Sequence, residues 1–392
     1  MTDIAYDPFD PVVQDDPYPV YRQLRENAPV YRCQNRDTWV LSRYADIDRA
    51  LLDPGLFSSA KGIFPTREGL DMTAAFLPMM IMMDAPRHTA MRAIVSRAFT
   101  PRRIVALEAS IRTTSDELFA TLDGARECDL VLDVAGPLPA MVIADLLGIP
   151  RQDREQFRAW SSTLVQGDPS SREAMQSALA AAASLYEYFA AFVAERRSRP
   201  TEDLITALVQ AELGGRRLTD EELLGFCLLL LVAGHETTTN LIANAAVVLA
   251  EHPGARGRLA ADLALVPHAV EELLRYDSPV QGLARTLTRD AVLHGVAMSE
   301  GDTVLLLFGS ANRDEWAFPQ PDRFDLDRRP DSQVAFGRGA HFCLGAALAR
   351  LEAGVLLPEM LRRMPCWQLD LAGAQRLRSG PIRGFSRLPV SW

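Results

Sequence analysis

The longest apolar run in the chain, Leu223 to Gly234, lies inside a helical pattern. That pattern opens with Thr219-Asp220-Glu221-Glu222, a capping box with Thr219 as N-cap and Glu222 three residues later. It continues to about Glu251, where His252-Pro253-Gly254 stops it. A helix of that length spans roughly 45–50 Å at 1.5 Å per residue, enough to cross a whole domain. Before it, residues 104–215 read as successive helices broken at Gly124, Gly136-Pro137, Gly148-Ile149-Pro150, Gly167-Asp168-Pro169, Pro200 and Gly214-Gly215. The alanine-rich piece from Ala178 to Arg196 is a strong helix former. Shorter helices are predicted at Val20 to Asn27, Tyr44 to Leu52 and His268 to Tyr276. Strand patterns are brief: Thr38 to Leu41, Arg285 to Leu287, Ala291 to Leu293 and Thr303 to Phe308. A last helix begins near Leu344, and Pro358 inside it should kink or end it.

Composition narrows the class. The chain has 392 residues, 48% hydrophobic and 23% charged, an ordinary globular balance. Its net charge of −10 argues against a nucleic-acid partner and against a generally basic membrane-binding surface. The N-terminus, Met1 to Asp7, has no basic and apolar leader pattern, and the run at Leu223 is too short to span a bilayer. Five scattered cysteines form no disulfide framework, which fits a reducing compartment. A cytoplasmic protein that engages no membrane is the expectation.

Chemistry concentrates in a few places. In Phe336-Gly337-Arg338-Gly339-Ala340-His341-Phe342-Cys343-Leu344-Gly345 a glycine-rich loop delivers one cysteine to the start of a helix. Helix N-terminal N–H groups and the macrodipole favour thiolate, so Cys343 reads as a nucleophile or a metal ligand. Gly337, Gly339 and Gly345 remove side chains where a flat object would approach the backbone. No nearby Cys or His completes a zinc set; a porphyrin would supply four ligands at once. Ala233-Gly234-His235-Glu236-Thr237-Thr238 puts glycine and threonines in the middle of the long helix, where a bend or opened hydrogen bond is expected. A zinc-protease reading of His235-Glu236 fails because position 239 is Thr. From Ala85 to Arg103 there are five arginines and no acid, with His88 and Arg92 on one helical face. Phe64, Phe76, Leu77, Met79, Met80, Leu229, Val232 and Ile382 suggest an apolar pocket. Lys61 and Arg67 are loop charges more often solvated than anchoring a ligand.

These motifs together resemble the cytochrome P450 family. The cysteine loop matches its haem-binding pattern, Phe-Gly-x-Gly-x-His-x-Cys-x-Gly, at every fixed position. Glu236-Thr237 matches the acid–alcohol pair of the family's distal helix, and Glu272-Leu273-Leu274-Arg275 its buried Glu-x-x-Arg. The resemblance implies the cytochrome P450 fold, mainly α with small β-sheets, as one domain over residues 1–392, holding haem b between the long helix and the cysteine loop. It implies Cys343 as iron ligand, with Ala233, Gly234, Phe336, Gly337 and Gly345 against the cofactor. His88, Arg92, Arg285 and His341 would hold its propionates, and Val280 and Leu283 would line the pocket. Arg323 would be the third member of the buried glutamate–arginine set.

The implied activity is monooxygenation: O2 activated to hydroxylate or otherwise oxidise a hydrophobic small molecule. Glu236 and Thr237 would relay protons through water. No dinucleotide fingerprint is present, since Phe342 stands where Gly337-x-Gly339 would need its third glycine. Electrons would then come from a ferredoxin and its reductase, with Arg102 and Arg103 available to an acidic donor. A peroxide-driven enzyme generally lacks the acid–alcohol pair. Oxidative coupling, C–C cleavage and a haem-thiolate sensor remain alternatives.

Overall fold

The computed structural model describes residues 4–65, 77–166 and 172–392. Phe76 and Arg67 lie outside them. The architecture is mainly helical with small sheets, and it is organised around one helix, Asp220–Glu251. This central helix has both hydrogen bonds of its capping box: Thr219 Oγ1 accepts from Glu222 N, and Glu222 Oε2 accepts from Thr219 N, both at 3.2 Å. Its apolar face is buried in the larger of two cores, against the helices Pro137–Leu147 and Ala346–Arg363. Two helices, Gln176–Ser198 and Asp220–Glu251, are long and apolar enough to cross a membrane, and the second is mostly buried in this core.

The second core lies under a five-stranded sheet. Its strands are β1 (Val30–Cys33), β2 (Thr38–Leu41), β3 (Phe57–Ser58), β4 (Leu283–Leu287) and β5 (Thr303–Leu306), in the order β1-β2-β5-β4-β3. All pairs are antiparallel except β5 with β2, where Thr303 lies beside Thr38 and Leu306 beside Leu41. Strand β5 ends at Leu306, two residues short of the expected Phe308, because Phe308–Ala311 turns into a short helix. Two further pieces departed from the helical reading of residues 104–215. Glu127–Asp129 pairs with the C-terminal strand Pro389–Ser391, and Glu212–Leu213 forms a hairpin with Arg216–Arg217.

The helix Ala346–Arg363 runs on past Pro358 for more than a turn. The carbonyl that proline deprives of its partner belongs to Gly354, whose Cα faces open space, so strain there is low. Glu272 and Arg275 form a bidentate pair at 2.7 and 2.8 Å, both fully buried. The third member of the set is Arg328, whose Nε donates to Glu272 Oε1 at 3.2 Å. This corrects the expectation of Arg323, whose side chain is 66% exposed and which contributes only a carbonyl to Arg275. The turn after Phe324 explains the exchange: Asp325 N also donates to Glu272, so the chain folds back and brings Arg328 onto it. Asp322 pairs instead with Arg313 and Arg22.

Candidate active site

The cysteine loop is built on backbone turns. Gly337 and Gly339 have φ of 65° and 64°, where an L side chain would be strained. At Gly339 a Cβ would also lie 2.6 Å from the Leu51 carbonyl, so this glycine is required by packing on the Tyr44–Leu52 helix. Phe342 N donates to Gly339 O, and Cys343 N donates to Phe336 O at 2.9 Å. Arg350 lies over the Phe336 ring and pairs with Glu271 at 2.5 Å. Gly345 is the N-cap of the following helix, which begins at Ala346, two residues later than expected.

Cys343 is half-buried, and burial pushes its thiol pKa up. The Gly345 and Ala346 backbone N–H groups, Arg92 and Arg350 pull the other way without winning. The helix terminus therefore favours thiolate as expected, and burial opposes it with the larger effect.

Four cationic or cationisable side chains converge beside this loop. The His88 and His341 rings are 4.1 Å apart between centroids. Arg92 Nη2 donates to the Phe342 carbonyl at 2.5 Å. Arg285, on β4, is buried, and its one hydrogen bond among the described residues goes to the neighbouring carbonyl of Ala284. Burial, then His88, Arg285 and Arg92, depress the His341 pKa to about 3. Burial lowers the Arg285 pKa to about 10. The nearby acid, Asp84, is already engaged by Ser58 and Ser59. His88 Nε2 is buried with no partner.

On the central helix, Ala233 is exposed and half-buried Thr237 follows one turn later. Thr237 Oγ1 donates to Ala233 O at 2.7 Å, and Thr239 Oγ1 donates to His235 O at 2.9 Å. The segment remains continuous α-helix, so the expected opening is replaced by hydroxyl back-bonding. Glu236 is half-buried, and burial raises its pKa to about 7. A Cβ on Gly234 would lie 2.7 Å from Ile143 Cδ1, the end of a flexible side chain, so this glycine eases packing on the helix Pro137–Leu147.

The expected pocket residues divide between the two cores. Met79, Leu229 and Val232 are half-buried at the edge of the larger core, into which Met80 packs fully. Val280 and Leu283 edge the smaller one. Ile382 bridges to Val280, as Gln281 N donates to Pro381 O and Arg383 N to Pro279 O, both at 2.7 Å, so the C-terminal turn joins the site. Leu77 is half-buried and Phe64 is 43% exposed.

Two groups escaped the sequence reading. Glu352 is buried, and burial raises its pKa to about 8 against a weaker pull from the Thr238 hydroxyl; neither carboxyl oxygen has a close hydrogen-bond partner among the described residues. Its position on the apolar face shared with Leu348 and Val355 was the available signal. Ser161 Oγ lies 2.7 Å from His235 Nδ1, a contact that no local pattern announces.

The model of the family described as Cytochrome P450 matches residues 153–366. Cytochrome P450 109 of Bacillus spizizenii is 41% identical over 382 residues, covering 95% of this chain and 91% of the relative. The vitamin D(3) 25-hydroxylase of Pseudonocardia autotrophica is 40% identical over 394 residues, covering 98% and 96%. Among solved structures, CYP109E1 from Bacillus megaterium in complex with testosterone superimposes with a TM-score of 0.87 at 37% identity, covering 96% of this chain and 99% of that one. The chain belongs to the cytochrome P450 family, and it is a haem-dependent monooxygenase of small hydrophobic molecules that takes O2 and electrons from a redox partner.

The residues present fit that cofactor. Buried Arg285 and half-buried Arg92, beside His88 and His341, make a net positive cluster whose nearby acid, Asp84, is held by Ser58 and Ser59, and such a cluster suits anionic groups like haem propionates. The lone Cys343 beside it supplies one thiolate donor and no more, as a porphyrin iron needs.

Proposed function

We propose that Cys343 is the axial iron ligand and that His88, Arg92, Arg285 and His341 bind the propionates. The observation that carries this reading is the convergence of those four groups beside Cys343, with Arg285 buried and lacking an acid partner. Phe336, Gly337 and Gly345 form the loop under the cofactor, and Ala233 forms the wall above it. When bound, haem supplies oxygen activation, which an axial thiolate favours by pushing electron density to iron.

The chain's own work is proton delivery and exclusion of water. Glu236 keeps its acid form up to about pH 7, so it has a proton to give at working pH. Thr237 accepts that proton through water once its hydroxyl turns from the Ala233 carbonyl toward the cofactor side. Leu77, Met79, Leu229, Val232, Val280, Leu283 and Ile382 form the apolar substrate wall, with Phe64 at its edge. The substrate class this supports is a steroid or secosteroid, since the similar proteins include a vitamin D(3) hydroxylase, a steroid C26-monooxygenase of Mycobacterium tuberculosis and a testosterone complex.

The chain acts as one domain in the cytoplasm, with a ferredoxin and its reductase as donors. Exposed Arg102 offers charge to an acidic donor. An optical titration of the ferric protein tests the substrate class. Testosterone and vitamin D3 are expected to shift it from low to high spin; a shift with fatty acids alone would overturn the steroid assignment.

A further inference from the structure

The helix Arg154–Gln166 packs on the central helix and on Pro137–Leu147. Nine of the eleven residues of Pro137–Leu147 are buried. Among the described side chains of Arg154–Gln166, only Phe157 and Ser161 are. One of this helix's two buried anchors is therefore polar, and its hydroxyl is spent on one partner, His235. Phe157, Trp160 and Leu164 seat the helix on the core and on Phe189 and Tyr188 of the helix Arg172–Ser198, and Ser161 adds a buried polar contact with the central helix.

His235 sits between Gly234 and Glu236, in a stretch of the central helix that its own composition weakens. Gly234 lacks a side chain, and Thr237 and Thr239 back-bond to carbonyls of the same turn. Ala233 and His235 are two residues apart and so lie on nearly opposite sides of the helix. His235 and Glu236 also line one water-sized cavity of about 10 Å³, together with Leu377, Phe385 and Ser386. Any shift of this turn changes how much water reaches Glu236. The imidazole is buried, and burial lowers its pKa to about 4 against a hydrogen bond to the Gly136 backbone, so it stays neutral and is held by Ser161 and by Gly136.

We infer that Ser161 and His235 form a latch that positions the turn carrying Glu236 and Thr237, holding it from the side opposite Ala233 and keeping water from Glu236. The pair touches neither substrate nor cofactor; both are positioning residues. The inference rests on the reading of Glu236 and Thr237 as the proton relay. No charged neighbour contributes to the raised pKa of Glu236, so its titration reports its burial directly.

The test is an infrared titration of the Glu236 carboxyl band in the ferric holoprotein, with Glu236→Gln as the subtraction reference. The variants are Ser161→Ala, Ser161→Thr and the double variant Ser161→Ala/His235→Leu. The double variant removes both polar partners and so avoids a buried unpartnered imidazole, which keeps the comparison valid if the single variant folds poorly. Ser161→Ala and the double variant are expected to lower the midpoint by about one unit or more, a tenfold change in the proton equilibrium. Ser161→Thr, which keeps the hydroxyl, is expected to match the parent. A parent midpoint near 7 that stays unchanged in both latch-free variants overturns the latch and leaves the relay standing. A parent midpoint in the ordinary carboxylate range overturns the relay reading and the latch with it.

Discussion

The hydroxyl of Thr237 donates to the carbonyl of Ala233 at 2.7 Å, so the alcohol of the acid–alcohol pair is held against its own helix. That bond is one that a side-chain rotation can exchange for a water at the cofactor. Removing the hydroxyl should leave the helix intact and break the relay. Thr237→Ala is expected to keep consuming NADPH while product per NADPH falls several-fold and peroxide rises. Thr237→Ser should stay near the parent. Equal product yields in Thr237→Ala and parent would remove Thr237 from the relay.

Glu236 sets a pH dependence whose sign follows from burial. The charged form is disfavoured, its pKa rises to about 7, and the proton it gives is present below that value. Product per NADPH should therefore fall as pH rises through about 7. Glu236→Gln should flatten that limb and lower the yield throughout.

The buried pair of Glu272 and Arg275 should resist loss of either partner poorly. Glu272→Ala leaves Arg275 charged, buried and unpaired, an expected cost of about 3–5 kcal/mol in urea unfolding. Arg328→Ala should cost less, because Glu272 keeps its bidentate pair with Arg275 while the bonds of Arg328 to Glu272 and to the carbonyls of Pro319, Gln320 and Arg323 are lost. Arg323→Ala, an exposed side chain, should fall within about 0.5 kcal/mol of the parent. The opposite ranking of Arg328 and Arg323 would contradict the geometry.

Glu352 links stability to pH in the other direction from a paired carboxylate. Its pKa is raised from 4.5 to about 8 by burial, so the unfolded chain releases the proton first. Stability is fully present below about 4.5 and is lost progressively as pH rises toward 8. Glu352→Gln, neutral at every pH, should gain on the parent as pH rises from about 6 to 8. A gap that stays constant over that range would mean Glu352 is not buried as an acid.

Much of this was legible in the chain because the signals are local. Thr38–Leu41, Tyr44–Leu52 and the central helix ending at Glu251 carry their own periodicity, caps and stops, and the structure ends them where those residues do. The cysteine loop and Glu272-Leu273-Leu274-Arg275 are contiguous motifs whose spacing is visible without a fold. What was not legible depends on long-range packing. Arg328 displaces Arg323 because of a turn after Phe324, and Gly339 is required by a carbonyl nearly three hundred residues earlier. The strand Glu127–Asp129 is too short for alternation to show, and it exists because the C-terminal strand pairs with it. At Cys343 the helix terminus is visible in the sequence, and the opposing effect of burial is not.

The most direct measurement is the reduced carbonyl spectrum of the parent and of Cys343→Ser. A thiolate-ligated iron gives the parent the long-wavelength band characteristic of this family, and the account expects Cys343→Ser to lose it while its fold, read by circular dichroism, persists. A parent without that band, or a serine variant that retains it, would contradict Cys343 as the iron ligand.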